Sequence, residues 1–172
     1  MNLIKRFPAI LLLICSLFLY ACETTEPANN INTFYEKQKE VPLYKVVRVV
    51  DGDTLIINID NIEERVRLIG VDTPESVHPD EDKNTSLGVA ASEFTKSILE
   101  GKAVAIELDV QERDQYGRLL AYIYIDDVMF NKILLYEGMA QLATFPPNVK
   151  YVEEFKEIQK DAVKAGRGFW SE

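Results

Sequence analysis

The chain has 172 residues, 47% of them hydrophobic and 27% charged, and its formal net charge is −9 at pH 7. This length suits one domain with a core of its own, and the composition is typical of a globular protein. A zinc or haem site is not expected with only two cysteines and one histidine, and nothing around His78 indicates a Ser-His-Asp hydrolase. Carboxylates, hydroxyls and arginines remain, which favours hard-cation chemistry on an anionic substrate.

The negative charge limits how the chain can bind nucleic acid. Non-specific nucleic-acid-binding proteins usually carry a basic surface, because affinity comes largely from neutralising phosphates. An acidic protein that acts on nucleic acid must therefore rely on a local site and a bound cation.

Residues 1–22 have the pattern of an export leader: a basic start is followed by an apolar run too short to span a bilayer as a stable helix. Cys15 lies inside this leader, so no intramolecular disulfide is expected. The ending Leu19-Tyr20-Ala21-Cys22 resembles a bacterial lipobox, which predicts lipidation of Cys22 and a membrane-anchored lipoprotein of the bacterial envelope. An ordinary signal peptide of a secreted protein and an uncleaved anchor are the alternatives, and each predicts export from the cytoplasm.

Residues 23–40 are polar and predict a flexible tether, because they can bury too little apolar surface to offset their ordering entropy. The folded domain is expected over residues 41–172. Within it, β-branched residues predict strands over 43–50, 54–60 and 62–70.

A helix is predicted over 85–100, and its buried face is expected to consist of Leu87, Ala91, Phe94 and Ile98. Further strands are predicted over 103–110, with Leu108 facing inward, and over 119–125. A short helix from Asn131 as N-cap to Gly138, with Phe130 and Leu135 as a hydrophobic staple, precedes a last helix over 151–165. This order predicts an α+β domain with a closed five-stranded barrel and three helices.

Asp51-Gly52-Asp53-Thr54 stands where one predicted strand turns into the next, so rigid flanks would hold its carboxylates. Calcium takes several oxygen ligands from carboxylates, backbone carbonyls and water. By itself the motif is more often a simple tight turn. It does not fit an EF-hand loop, because Leu55 occupies a ligand position.

Val71-Asp72-Thr73-Pro74-Glu75 directly follows the third predicted strand. Pro74 disfavours helix at Thr73 and stiffens the loop. Of the two carboxylates, one could bind a metal while the other acts as a general base. A polar turn is the simpler interpretation of this motif alone.

Two arginines complete the set of candidate residues. Arg67 lies inside an apolar strand, where an arginine is costly unless it is paired or opens onto a site. Arg118 follows Tyr116-Gly117 just before the fifth strand. Each arginine alone is more often a salt-bridge partner, but two guanidinium groups beside a cation match the charge of a phosphoryl group in transit. Together the motifs predict a metal-assisted phosphoryl hydrolase.

Three separated segments, residues 49–75, Tyr116–Tyr124 and Phe169–Glu172, closely resemble the staphylococcal nuclease family in the same order. The resemblance covers about residues 42–172. It implies an OB-type Greek-key barrel with three helices. It also implies a monomeric, calcium-dependent nuclease that cleaves DNA and RNA and leaves 3′-phosphate ends.

For the metal, the resemblance implies that Asp53 and Asp72 bind Ca²⁺ through carboxylate oxygens and Thr73 through its carbonyl. Asp51 would support the ion through a water molecule.

For the reaction, the resemblance implies that Glu75 orients or deprotonates the attacking water and that Arg67 and Arg118 bind the scissile phosphate. Tyr116 and Phe145 are expected to contact the substrate.

The chain departs from the family around these residues. Residues 76–83 are acidic where the family typically carries lysines, and residues 143–147 lack the family's tyrosines. Gln115 stands where a lysine is common. Catalytic positions are thus intact, while weaker contacts to the bases and terminal phosphates are expected.

Two alternatives to an enzyme fit the same sequence. One is a non-catalytic OB-type module that binds nucleic acid or a partner on the cell envelope, and the other is a calcium-stabilised structural lipoprotein. Domains of this superfamily that lack catalysis usually lose the metal and arginine positions, which this chain retains. The nuclease is therefore the favoured prediction.

Overall fold

A computed structural model of the protein describes residues 41–76 and 85–171. The predicted leader with Cys22, the tether and most of the acidic loop lie outside these residues. No helix in the described part is long and apolar enough to cross a membrane.

Five strands close into a barrel: β1 (Tyr44–Asp51), β2 (Thr54–Ile59), β3 (Ile62–Leu68), β5 (Ala103–Glu107) and β6 (Leu119–Ile125). The first three form an antiparallel meander, β3 pairs in parallel with β6, and β5 joins β6 back to β1. Two-residue strands supplement the barrel: β4 (Val71–Asp72) pairs with β8 (Gln141–Leu142), and β7 (Val128–Met129) extends β6.

The barrel interior is filled by aliphatic side chains from every strand, and this core is sealed by aromatic residues of β6 and the helices. Its members include Val46, Leu55, Ile57, Val66, Leu68, Val104, Ala121, Ile123, Phe130 and Phe155. With three helices packed around it, the barrel confirms the predicted α+β fold of OB type.

Helix α1 (Ser86–Leu99) confirms the predicted helix and, of its predicted buried face, only Ala91 as fully buried. The face that is buried consists of Gly88, Ala91, Thr95 and Leu99, whereas Leu87 is 45% exposed and Phe94 and Ile98 are half-buried. The helix is rotated by about one residue because its small and polar positions approach the backbone of the barrel loops most closely.

Helix α2 (Phe130–Tyr136) begins one residue before the predicted N-cap, with Met129 in the cap position. Asn131 is fully buried inside the helix, where its Oδ1 accepts from the Ile123 N–H at 3.0 Å and its Nδ2 donates to the Ile69 carbonyl at 2.8 Å. It satisfies barrel backbone instead of capping a helix. Phe130 and Leu135 are therefore core residues and do not form the predicted staple.

Helix α3 (Val152–Lys164) packs Phe155 and Ala162 inward and is followed by a 3₁₀ turn (Gly168–Trp170). Strand β5 ends at Glu107, three residues earlier than predicted, and Leu108 is 39% exposed rather than inward-facing. The residues after Glu107 leave the barrel and form a long loop that leads to the candidate site.

Candidate active site

The turn between β1 and β2 is held by side chains of neighbouring loops. Asp51 is 7% exposed, and its Oδ1 accepts from Ser76 Oγ at 2.6 Å and from the Gly52 N–H at 2.8 Å. The Gly52 carbonyl accepts from Thr95 Oγ1 at 2.7 Å. A Cβ at Gly52 would lie 2.8 Å from the Thr73 side chain, so only glycine allows this turn to approach the loop after β4.

Arg67 lies between two carboxylates. Its Nη1 is 3.1 Å from Asp53 Oδ2, and its Nη2 is 2.8 Å from Asp72 Oδ1. Nη1 also donates to the carbonyl oxygens of Val71 at 2.8 Å and Leu68 at 3.1 Å. The β2–β3 register, which pairs Thr54 with Arg67, brings this arginine beside Asp53. We call Asp53, Arg67 and Asp72 the carboxylate–arginine cluster.

Asp53 is the most enclosed carboxylate of this cluster, with 5% exposure. Its Oδ2 accepts from the Thr73 N–H at 2.8 Å and from Thr73 Oγ1 at 3.1 Å. Burial raises the pKa of Asp53 above its ordinary value, even though Arg67 and the hydrogen bonds from Thr73 and Thr54 oppose that rise. One guanidinium therefore compensates the buried negative charge incompletely.

Glu75 follows the cluster at the end of the same loop, and its side chain is exposed. Its carbonyl accepts from the Thr85 N–H at 3.0 Å, at the start of α1. A Cβ at Gly88 would overlap the carbonyl oxygens of Pro74 and Glu75, so a glycine lets the helix press against this loop. Helix α1 thus fixes the backbone that carries the predicted general base.

Arg118 is held by a tight turn that begins at Asp114. Asp114 Oδ2 accepts from Arg118 Nε at 2.6 Å, while Oδ1 accepts from the N–H groups of Tyr116 at 2.9 Å and Arg118 at 3.0 Å. Gly117 has a φ of +80°, which a residue with a side chain rarely adopts. Among the described residues, Arg118 makes hydrogen bonds only through Nε and its backbone, which leaves both Nη groups available as donors.

Both arginines open onto one cleft of about 480 Å³. Tyr116 and Phe145 also line it and are 76% and 72% exposed. The Arg118 guanidinium lies 5.5 Å from the centre of the Tyr116 ring, within cation–π distance. The structure therefore groups both predicted phosphate-binding arginines with both predicted substrate-contacting aromatics, while Asp53 and Asp72 adjoin the cleft through Arg67. We call Tyr116 and Phe145 the aromatic rim.

Residues 65–172 match the family described as Staphylococcal nuclease homologue. The chain belongs to this family. Among its relatives, the thermonuclease of Staphylococcus intermedius is 48% identical over 130 residues, and that of Staphylococcus hyicus is 46% identical over 131 residues. Each alignment covers 74% of this chain and 75% of the relative. The SPbeta prophage-derived endonuclease YokF of Bacillus subtilis is 35% identical over 135 residues, which are 77% of this chain and 45% of the relative.

The carboxylate–arginine cluster is the place where this member of the staphylococcal nuclease family could hold a metal ion. Among the described residues, no three Asp, Glu, His or Cys side chains converge into a ready-made metal cluster. The cluster instead offers two carboxylates against one guanidinium, and burial disfavours the charged form of Asp53. Hard oxygen ligands and excess negative charge suit a cation of the calcium type.

Sequence reasoning overlooked two residues that shape the site. Asp114 organises the turn that presents Arg118. The sequence does carry a signal for this role, because an aspartate two residues before Tyr116-Gly117 is typical of the start of an Asx turn. Ser76, which bonds Asp51 at 2.6 Å, carries no such signal, because the two residues are 25 positions apart.

Proposed function

We propose that this protein is a calcium-dependent nuclease that hydrolyses phosphodiester bonds of DNA and/or RNA. The observation that carries the proposal is the cleft onto which Arg67 and Arg118 both open, with the carboxylates of Asp53 and Asp72 beside Arg67. The thermonuclease and endonuclease names of the family relatives support the same conclusion.

The two arginines would bind the scissile phosphate. Guanidinium groups donate to phosphate oxygens in pairs and stay charged at every relevant pH. Arg118 keeps its Nη groups for this purpose, because Asp114 engages only Nε and the backbone. Arg67 Nη2 is bonded to Asp72 at 2.8 Å, and it would be available to phosphate if Asp72 held a cation instead.

Asp53 and Asp72 would hold the calcium ion through their carboxylates and Thr73 through its carbonyl, with Asp51 supporting it through water. When bound, the ion supplies Lewis-acid stabilisation of charge on the phosphate. Burial raises the pKa of Asp53 and so disfavours its charged form, and a bound cation would offset that cost.

Glu75 would accept a proton from the water that attacks phosphorus. The bond from phosphorus to the 5′-oxygen then breaks on the opposite side, and the product keeps the phosphate on its 3′ end. The restraint of the Glu75 backbone by Thr85 suits a residue that must place a water molecule accurately.

A cleavage assay with the purified full chain tests the proposal. Plasmid DNA and an RNA transcript are incubated with millimolar calcium or with a chelator, and product ends are typed by phosphatase-dependent relabelling. We expect cleavage only with calcium, 3′-phosphate ends, and a loss of about 10²-fold or more in rate for Glu75→Gln with unchanged thermal unfolding. If neither substrate is cleaved in calcium, the proposed nuclease activity is refuted.

A non-catalytic binding module is the second candidate, and the exposed aromatic rim is the observation that favours it. Tyr116 and Phe145 present faces on which unpaired bases could stack. Binding of a labelled single strand without cleavage in the same calcium buffer would select this candidate over the nuclease.

We further propose that the protein is exported and anchored to a bacterial membrane through lipidated Cys22. The support is the basic start, the short apolar run and the Leu19–Cys22 motif. Mass spectrometry of the mature N-terminus should find Cys22 as the first residue, carrying a diacylglyceryl group. Retention of Met1 would contradict both cleavage and lipidation.

A further inference from the structure

Asn148 connects the two loops that carry the aromatic rim. It is 4% exposed, its Oδ1 accepts from the Gln111 N–H at 2.7 Å, and its Nδ2 donates to the Gln111 carbonyl at 2.8 Å. If the Asn148 amide were flipped, its NH₂ group would face the Gln111 N–H and its oxygen would face the Gln111 carbonyl. The two hydrogen bonds therefore fix the orientation of the amide. The Asn148 side chain thus makes the same pair of hydrogen bonds to Gln111 that a residue of a neighbouring β-strand would make.

Each loop places one rim residue close to this pairing. The Asn148 N–H donates to the Phe145 carbonyl at 3.2 Å, which closes a four-residue turn that begins at Phe145. On the other loop, Tyr116 follows Gln111 by five residues. All four residues line the cleft. The Asn148–Gln111 pairing therefore spans the cleft wall between the two aromatic side chains.

Packing does little to hold Phe145, because its side chain is 72% exposed. Its position depends on its backbone, and that backbone is tied to the opposite loop by Asn148. Arg67 and Arg118 lie on or beside the barrel strands β3 and β6, which pair with each other independently of Asn148. A change at Asn148 should therefore move Phe145 and leave the arginines in place.

We propose that Asn148 is a positioning residue that sets the separation of Phe145 from Tyr116 and so determines how tightly a nucleotide is held in the cleft. The inference rests on the proposed nuclease function. It assigns substrate affinity to a buried amide that touches no reacting atom.

A second contact of the loop that contains Asn148, made with the end of β5, provides a control. Glu107 accepts from Lys150 Nζ at 2.5 Å and from Tyr151 Oη at 3.0 Å, so it also ties the later loop to the barrel. It is not among the residues that line the cleft. Glu107→Gln weakens the attachment of this loop without acting on the Phe145 turn.

The test is steady-state cleavage of a defined single-stranded oligonucleotide by the full chain in calcium. We expect Asn148→Ala to raise KM about tenfold while kcat changes by less than about threefold, because both hydrogen bonds are lost but the chemistry is spared. Glu107→Gln should leave KM unchanged even where it lowers the unfolding temperature. Asn148→Asp, which keeps the volume but opposes a second oxygen to the Gln111 carbonyl, should also raise KM and serves if the alanine variant does not fold.

A double-mutant cycle separates positioning from general loosening. If Asn148 acts through Phe145, Asn148→Ala should raise KM no further in a Phe145→Ala background. An unchanged KM in Asn148→Ala, or KM effects that multiply in the double variant, would overturn this inference while wild-type cleavage keeps the nuclease proposal intact. Absence of wild-type cleavage would instead overturn the proposed function, and this inference with it.

Discussion

The carboxylate–arginine cluster and the aromatic rim adjoin one cleft but are built differently. In the cluster the side chains of Asp53 and Arg67 are 7% and 14% exposed, and barrel register brings them together. In the rim, Tyr116 and Phe145 are more than two-thirds exposed and stand on loops. Substitutions in the rim should therefore alter binding with little cost to folding, whereas substitutions of Asp53 or Arg67 affect buried charge; Asp72, with a side chain 50% exposed, is the open edge of the cluster.

This difference agrees with where the chain departs from its family resemblance. The departures that the resemblance implies within the described residues are residues 143–147 and Gln115, and the residues it implies in metal and phosphate binding are not among them. A strand-held site tolerates little change, because moving one buried charge leaves its partner unpaired. Exposed loop residues tolerate much more.

The largest expected effect removes one phosphate-binding arginine. Arg118→Ala should lower kcat by about 10³-fold, because charge developing on the phosphate loses a preorganised partner. Initial rates on plasmid DNA in calcium measure this. Arg113→Ala is the control within the same loop: Arg113 pairs with Glu64 at 2.9 Å and donates to the Gly117 carbonyl at 2.9 Å, so its loss weakens the turn but removes no phosphate-binding group. Similar losses in the two variants would mean that the loop, not the Arg118 site, matters.

A smaller loss of kcat is expected when Arg118 is kept but Asp114, which accepts its hydrogen bonds, is changed. Partial burial raises the pKa of Asp114, but hydrogen bonds from Arg118 and the Tyr116 N–H outweigh this effect and hold the pKa below its ordinary value. The carboxylate is therefore charged at neutral pH. Asp114→Asn should lower kcat about tenfold, because one charge-assisted hydrogen bond to Nε is lost. A rate equal to wild type, measured at saturating substrate, would show that Arg118 needs no such support.

A change in the rim should separate binding from chemistry. Phe145→Ala is expected to raise KM about tenfold, because a base loses its stacking surface, whereas kcat should stay within about threefold. Phe145→Tyr keeps the ring and should behave as wild type. A fall in kcat without a change in KM would place Phe145 in the reaction itself and erase the distinction between rim and cluster.

The sequence predicted the barrel well, because each strand carries its own local pattern of β-branched residues and each turn its own glycine or aspartate. It also singled out Arg67 from a local anomaly, an arginine within an apolar strand. The buried face of α1 was predicted only in part: Ala91 is buried but Leu87 is exposed, since residue spacing alone allows two adjacent faces and the approach of Gly88 to Glu75 decides between them.

Contacts between distant segments could not be predicted. Asn131 has the composition of an N-cap, but its amide bonds Ile69, which is 62 positions away. Asn148 and Gln111 are 37 positions apart, and no periodicity connects them. Such pairings depend on which loops the closed barrel places side by side. The roles of the site residues stay predictions that the variants above address.

The smallest expected effect concerns stability, at the contact that ties the later loop to the barrel. Partial burial raises the pKa of Glu107, but hydrogen bonds from Lys150, Tyr124 and Tyr151 outweigh this and hold it below its ordinary value of 4.5. A carboxyl whose pKa is lower in the folded than in the unfolded state stabilises the fold fully above the unfolded value. That contribution is lost as the pH falls below 4.5 and through the folded value.

Glu107→Gln should therefore lower the free energy of unfolding by about 1 kcal/mol at neutral pH, and the difference from wild type should shrink as the pH falls from about 5 to 3. Urea unfolding at a series of pH values measures this. Glu153→Gln is the surface control, because Glu153 is 86% exposed in its pair with Lys156 and should show almost no difference. If the difference in free energy of unfolding between Glu107→Gln and wild type stays constant into acid, the variant loses packing rather than a charge interaction.

Since Glu107 touches neither the cluster nor the rim, kcat and KM of Glu107→Gln at neutral pH should match wild type. Any fall in kcat would show that the cluster depends on this loop after all.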